Sequence, residues 1–300
     1  MSWSLQGKTV FITGAARGIG AESARRCAQR GANVALVGLE PDELERVAAE
    51  IGPSAAWFEC DVRSGDALAA AVAGTVERFG GIDVVMANAG IASGGLFRLA
   101  DPESWERVID VNLLGVTRTV KACLDHVVER KGYVLIVASL AAVVHGPGMG
   151  NYAAAKAGVE AFGDSLRVEM KHHDVGVGVG YFSWIDTEMV AGGDRHPAFG
   201  FARAKLPGPF GKTYPVSKVG HAVADGIERR RRWVMVPGWI RLLLLSRGFS
   251  FPVFDAGGSQ NVVEMEQRFE QDIQRRGIEE ASAPVGAGGE ALRERSLNRT

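Results

Sequence analysis

Short apolar runs rich in β-branched residues recur along the first 240 residues, each followed by a stretch with helical periodicity. This alternation constrains the fold more than any other feature. Thr9–Ile12, Val34–Val37, Ala55–Cys60, Ile82–Met86, Tyr133–Ala138 and Val175–Tyr181 read as strands, and Trp233–Val236 as one more. Helical patterns fill the gaps. One runs from Gly18 to a stop at Gly31, and one opens at Pro41 with acidic residues in its first turn. The others cover Ala67–Phe79, Pro102–Arg130, Tyr152–His173 and Val219–Arg232. The strands are continuous apolar runs, as expected when helices cover both sheet faces. The expected fold class is therefore α/β, a doubly wound parallel sheet in a single domain with helices on both faces.

Composition narrows the function. Lys plus Arg total 34 against 35 Asp plus Glu, a net charge of −1, which argues against bulk electrostatic binding of nucleic acid. Thirty-nine of 300 residues are glycine, nearly double the ordinary share of about 7 %. Cys27, Cys60 and Cys123 are far apart with no CxxC spacing, which fits free thiols in a reducing compartment. With no signal-like apolar core and no run long enough to span a bilayer, the chain is expected to be cytoplasmic. No His/Cys/Asp cluster has metal-ligand spacing, so no metal is expected.

The glycines concentrate where the first strand meets the first helix, in Thr13-Gly14-Ala15-Ala16-Arg17-Gly18-Ile19-Gly20. A glycine turn there lets backbone approach a pyrophosphate at a helix N-terminus, whose free N–H groups favour an anion. Farther on, Asn88-Ala89-Gly90 follows the fourth strand. Tyr152 and Lys156, four residues apart, share one helix face. A neighbouring ammonium is expected to pull the tyrosine down from its usual value of about 10 toward the working range.

Taken together, TGxxxGxG, Asn88-Ala89-Gly90 and Tyr152-x-x-x-Lys156 resemble the short-chain dehydrogenase/reductase family in its single-domain branch, over about residues 5–240. The resemblance implies a Rossmann-type sheet and direct hydride transfer between a nicotinamide cofactor and an alcohol or ketone carbon. It implies that Gly14, Arg17, Gly18, Ile19 and Gly20 hold the dinucleotide, with Asp61 and Val62 at the adenine and Asn88, Ala89 and Gly90 along the cofactor. Ser139, 13 residues before Tyr152, would bond the substrate oxygen; Tyr152 would move the proton; Lys156 would also hold the nicotinamide ribose. Asn112 would complete a water-linked relay from a helix kink. Where the family usually has Pro-Gly after the sixth strand, this chain has Phe182-Ser183, while Ile185 and Thr187 stand where the carboxamide is held. Gly38 occupies the usual place of the ribose-binding acid, and a small residue there often goes with NADP. Glu40, 20 residues beyond Gly20, stands at a plausible distance for that acid and would repel a 2′-phosphate. The balance leans to NAD, with NADP open.

Residues 188–215 mix glycine and proline with Met189, Phe199, Phe201, Leu206 and Phe210, and are expected to form a substrate loop or lid. Its apolar side chains point to a small-to-medium lipophilic secondary alcohol or ketone; His145 is a candidate at the substrate mouth. The catalytic domain is expected to occupy residues 1–256. An extension over 257–300 would be helical at Asn261–Gln274, with Val262, Met265, Phe269 and Ile273 on one stripe, then disordered. Residues 225–247 carry six arginines against Asp225 and Glu228, beside leucines and tryptophans. Such a segment fits contact with an anionic membrane surface or an oligomer interface, and a homo-dimer or homo-tetramer is expected. Against the oxidoreductase reading stands a catalytically silent nucleotide-binding regulator or a membrane-peripheral scaffold.

Overall fold

Residues along each central strand alternate between two cores, as a sheet with both faces covered requires. The computed structural model describes residues 3–247 and 261–297. Strands β1 (Thr9–Thr13), β2 (Asn33–Gly38), β3 (Ala55–Glu59), β4 (Val84–Ala87), β5 (Tyr133–Val137), β6 (Gly176–Phe182) and β7 (Trp233–Val236) form one sheet. Their order is β3-β2-β1-β4-β5-β6-β7, and every pair is parallel. On β1, Val10 and Ile12 enter one core while Phe11 enters the other. Helices α1 (Gly18–Gln29), α2 (Pro41–Ile51) and α9 (Val216–Glu228) contribute to the first core. The second receives residues of α3 (Gly65–Phe79), α4 (Pro102–Ile109), α5 (Gly115–Glu129) and α6 (Gly150–Glu169). The α/β doubly wound architecture expected from the alternation is the one observed.

The chain leaves β1 toward β2 and β3, then returns to place β4 on the other side of β1. That reversal opens a crevice at the carboxyl ends of β1 and β4, where open α/β sheets bind ligands. The Asn88 amide donates to the Thr13 and Gly14 carbonyls at 2.9 and 3.2 Å, tying the crevice together.

Three local expectations are corrected. The long helix expected over Pro102–Arg130 is interrupted at Asp110–Leu114 by a π-helical turn, because the Asn112 side chain bonds the backbone of Ile91 instead of facing solvent. The 188–215 segment is largely helical: Thr187 caps α7 (Glu188–Arg195), and His196 with Pro197 starts α8 (Pro197–Ala204). Gly192 does not break α7. A Cβ there would lie 2.6 Å from the Gly286 backbone, so the glycine permits a close crossing.

The C-terminal extension is the third. Helix α10 begins at residue 240 and runs to the edge of the described residues at 247. Its Ile240 and Leu244 are buried while Leu242 and Leu245 are exposed, so the leucine-rich stretch is half core. No helix among the described residues is long and apolar enough to cross a membrane. The expected boundary at residue 256 lies outside the described residues. Helix α11 (Val262–Arg276) buries Met265 and Phe269 as its stripe predicts. The expectation of disorder beyond it fails over α12 (Ile278–Ala281) and α13 (Ala287–Leu297), where Ala281 and Leu292 are buried. Composition misled here because the small residues of 281–289 serve close packing.

Glycines also thin β6. A Cβ at Gly178 would lie 2.0 Å from the Tyr133 hydroxyl, which donates to the Arg231 carbonyl at 2.6 Å. Gly178→Ala should therefore destabilise the fold by about 1–3 kcal/mol in chemical denaturation. Gly65→Ala, where a Cβ meets nothing within 4 Å, should stay within about 0.5 kcal/mol of the parent.

Candidate active site

The cleft begins at an unsatisfied helix end. Ser64 caps α3 and Asp101 caps α4 through their side chains, but α1 has no capping side chain and no acidic residue in its first turn. The first N–H groups of an α-helix have no partner within the helix, so those at this end are free for an anion. Gly14 and Gly18 adopt positive φ, and a Cβ at Gly20 would lie 2.1 Å from the Gly14 carbonyl oxygen. A Cβ at Gly14 would lie 2.9 Å from the Cα of Ala89. The turn therefore presents bare backbone to the cleft, the surface a pyrophosphate requires. These residues fit a dinucleotide.

Gly14, Arg17, Gly18, Ile19, Gly38, Glu40, Asp61, Val62, Asn88, Ala89, Gly90, Ile185 and Thr187 all line one continuous cleft. Gly20 lies just behind, packed on Gly14. The Asp61 carboxylate is held by the Arg63 guanidinium at 2.8 Å and accepts from the Arg63 backbone N–H at 3.0 Å. Arg17 is bracketed by two carboxylates, Glu40 at the end of β2 and Glu188 at the start of α7. Around Arg17, Glu40 and Glu188 the formal charge is therefore −1. A Cβ at Gly38 would meet nothing closer than 3.5 Å, so sterics do not demand glycine there.

At the other end of the same cleft stand Ser139, Tyr152 and Lys156. Ser139 closes β5 and caps a short turn through Ala141 N–H. Tyr152 and Lys156 rise from one face of α6, with the Lys156 ammonium 5.6 Å from the tyrosine ring centroid. Lys156 Nζ donates to the Val137 carbonyl at 2.9 Å. Asn112 is fully buried in its π-turn; its amide donates to Ile91 O at 2.7 Å and its carbonyl accepts from Ile91 N at 2.8 Å. A Cβ at Gly90 would lie 3.2 Å from Asn112 Oδ1 and 3.6 Å from Lys156 Nζ, so Gly90 sits against both.

Burial dominates the electrostatics. Desolvation pushes the Tyr152 phenol above its ordinary value, and the hydrogen bond with Ser139 only partly offsets this. The expectation that Lys156 pulls the phenol down is not met in this state. Desolvation instead lowers Lys156 itself, to about 8.

The substrate candidates divide. Met189 lines the cleft with Val190 and Phe182, whereas His145, Phe199 and Phe201 do not. His145 turns to the Ala142 carbonyl at 3.4 Å. Phe199 packs edge-on against Trp184, and Phe201 lies under the guanidinium of Arg268. Their helix, α8, packs against α11.

Two features escaped the sequence reading. Ser183, flagged only as a departure from Pro-Gly, lines the cleft, and its buried hydroxyl has no partner among the described residues. Val285, Gly288, Gly289 and Leu292 of the extension also line it. No pattern in the sequence marks residues so distant as neighbours of the glycine loop. Among the described residues, no three His, Cys, Asp or Glu side chains gather as a metal site would need.

Comparison with known proteins agrees with this architecture. The family model described as short chain dehydrogenase matches residues 8–197. A cis-4-hydroxycyclohexanecarboxylate dehydrogenase from Sinomonas cyclohexanicum is 34 % identical over 222 residues, 72 % of this chain and 88 % of that enzyme. A (-)-trans-carveol dehydrogenase from Rhodococcus erythropolis is 34 % identical, covering 62 % of this chain and 74 % of the other. The 3-ketoacyl-(acyl-carrier-protein) reductase of Brucella melitensis, solved in complex with NADH, superposes with a TM-score of 0.71 at 27 % identity, over 78 % of this chain and 98 % of that one. With the sheet order, the uncapped glycine turn and the tyrosine–lysine pair all in register, the chain belongs to the short-chain dehydrogenase/reductase family of oxidoreductases.

Proposed function

We propose that this protein is an NAD-dependent dehydrogenase/reductase acting on a lipophilic secondary alcohol or its ketone. The observation that carries the reading is that Ser139, Tyr152 and Lys156 open into the same cleft as the uncapped N-terminus of α1. When bound, a nicotinamide cofactor supplies the hydride acceptor or donor. The chain does the rest. Ser139 Oγ donates to the substrate oxygen and steadies the charge that develops there. Tyr152 gives its proton to a carbonyl oxygen in reduction and takes one from a hydroxyl in oxidation. Lys156, hung from the Val137 carbonyl beside the tyrosine ring, would hold the nicotinamide ribose. Asn112 holds Ile91 and the kink that lets Gly90 pass between it and Lys156.

The substrate class follows from the wall opposite Tyr152. Phe182, Ile185, Met189, Val190 and Val285 give the cleft apolar lining beside its polar Ser139, Ser183, Thr187 and Glu188, which supports a lipophilic substrate. Cyclic secondary alcohols name two of the similar enzymes, the carveol and hydroxycyclohexanecarboxylate dehydrogenases, which supports a compact cyclic substrate. The preference for NAD rests on Arg17. A 2′-phosphate would meet a guanidinium already shared by Glu40 and Glu188, whereas a ribose hydroxyl can donate to Glu40.

Tyr152→Phe should keep NADH binding in a fluorescence titration and lose about 10²-fold or more of turnover. Unchanged turnover would remove Tyr152 from the mechanism. Because burial raises Tyr152, its phenol keeps its proton at neutral pH and serves reduction. Oxidation needs the phenolate, so its kcat/KM should climb from neutrality and not level off below about pH 10, while that of reduction does not rise. A flat oxidation profile contradicts this. In parallel assays NAD should exceed NADP in kcat/KM by about tenfold or more, and Glu40→Gln should narrow the gap. A preference for NADP in the parent enzyme would overturn the Arg17 argument.

A further inference from the structure

The family match ends at residue 197, yet residues 282–295 reach back across the cleft. Their path is fixed at several points. Ser282 Oγ accepts from Asp101 N at 3.0 Å, and Pro284 pairs with Ser93. Val285 N donates to Ala92 O at 2.8 Å. Gly286 then crosses α7 so closely that a Cβ there would lie 2.8 Å from the Glu188 carbonyl oxygen. From that crossing α13 starts, and nine residues later Arg295 pairs with Glu59 at the end of β3. The segment thus begins beside the substrate helix α7 and ends two residues from Asp61. At about 1.5 Å per residue, an 11-residue helix covers roughly 16 Å, so α13 runs lengthwise along the cleft.

We propose that residues 284–295 are a strap forming the outer wall of the dinucleotide site, one that retains the bound cofactor and must lift for exchange. This inference rests on the reading that the cleft takes NAD(H). A strap of this kind could instead be a plug, and three observations favour a wall. The cleft stays continuous from Gly14 to Tyr152 with the strap among its lining residues. Gly288 and Gly289 supply no side chain to intrude. Leu292, 1 % exposed in the same core as Cys60 and Val62, lies at the adenine end of the cleft and is the one strap side chain whose position the chase experiment must decide. The anchors at Ala92, Ser93 and Glu59 also lie outside the glycine turn and the Ser139–Tyr152–Lys156 group, leaving those groups for ligand.

Among the described residues the strap is held at its start by the Val285–Ala92 bond and at its end by the Arg293–Glu280 and Arg295–Glu59 ion pairs, the last surface-exposed on the Glu59 side, with 47 % of that side chain accessible. Such pairs are weak, which suits a closure that must reopen with each exchange. Anchoring at both ends predicts slower release of the dinucleotide more than altered chemistry.

The experiment is a stopped-flow chase of NADH from the full chain, from a variant lacking residues 284–300, and from Arg295→Glu with and without Glu59→Arg. Deletion should raise the NADH off-rate about tenfold or more. Arg295→Glu should raise it severalfold, and the reversed pair should bring it back toward the parent. Amide exchange of 284–295 should slow when NADH binds. An unchanged off-rate across all variants, or tighter binding after deletion as for a plug, overturns the strap. If the deletion does not fold, the full-length charge-reversal set gives the same decision. Failure of the full chain to bind NADH at all would instead refute the dinucleotide reading, and this inference with it.

Discussion

The missing cap on α1 is the constraint around which the cleft is organised. Several other helix starts are satisfied by a side chain, as at Ser64, Asp101 and Thr187, while α2, α6, α9 and α11 also begin without one; what sets α1 apart is the glycine turn that leads into it. At α1 the chain leaves those N–H groups open and lines the approach with Gly14, Gly18 and Gly20, where any Cβ would collide with backbone or demand a strained φ. An exposed row of donors at the positive end of a helix costs stability unless an anion comes to it. Asn88 stitches β4 to this turn, so the electrostatic end and the catalytic end belong to one rigid frame.

The catalytic end uses burial in the opposite sense. Tyr152 and Lys156 are both moved toward their neutral forms by desolvation, the phenol upward and the ammonium down to about 8. The sequence reading treats Lys156 as a bare charge acting on a nearby phenol. In the fold, the same withdrawal from water that would sharpen that attraction also penalises both charged forms, and the penalty wins. The consequence is a Tyr152 phenol that keeps its proton at neutral pH.

Much of this was legible because it is local. Continuous apolar runs gave the strands to within a residue or two, and motif spacing brought Gly14, Asn88, Ser139, Tyr152 and Lys156 to one cleft. What was not legible depends on contacts between distant segments. The kink expected at Asn112 is there, but its form, a π-turn over Asp110–Leu114, depends on the bonds Asn112 makes to the distant Ile91 backbone. Gly192, Gly193 and Pro197 read as helix breakers, but the first two lie inside α7 and the third begins α8. Phe199 and Phe201 looked like pocket residues until α8 turned them toward Trp184 and Arg268. The glycines near 286–289 read as disorder, and instead allow the tail to cross α7 and line the cleft.

The most direct test of the central claim is NADH affinity after Ile19→Asp. Ile19 sits in the first turn of α1, lines the cleft and is only partly buried. A carboxylate there suits the helix dipole and partly offsets the loss of the apolar packing Ile19 makes with the core, so thermal stability should fall only modestly. It also faces the place where a pyrophosphate would sit, so NADH affinity should fall about tenfold or more, with the fold intact. Undiminished NADH affinity in a folded Ile19→Asp protein would contradict the claim that this uncapped helix end is where the cofactor is held.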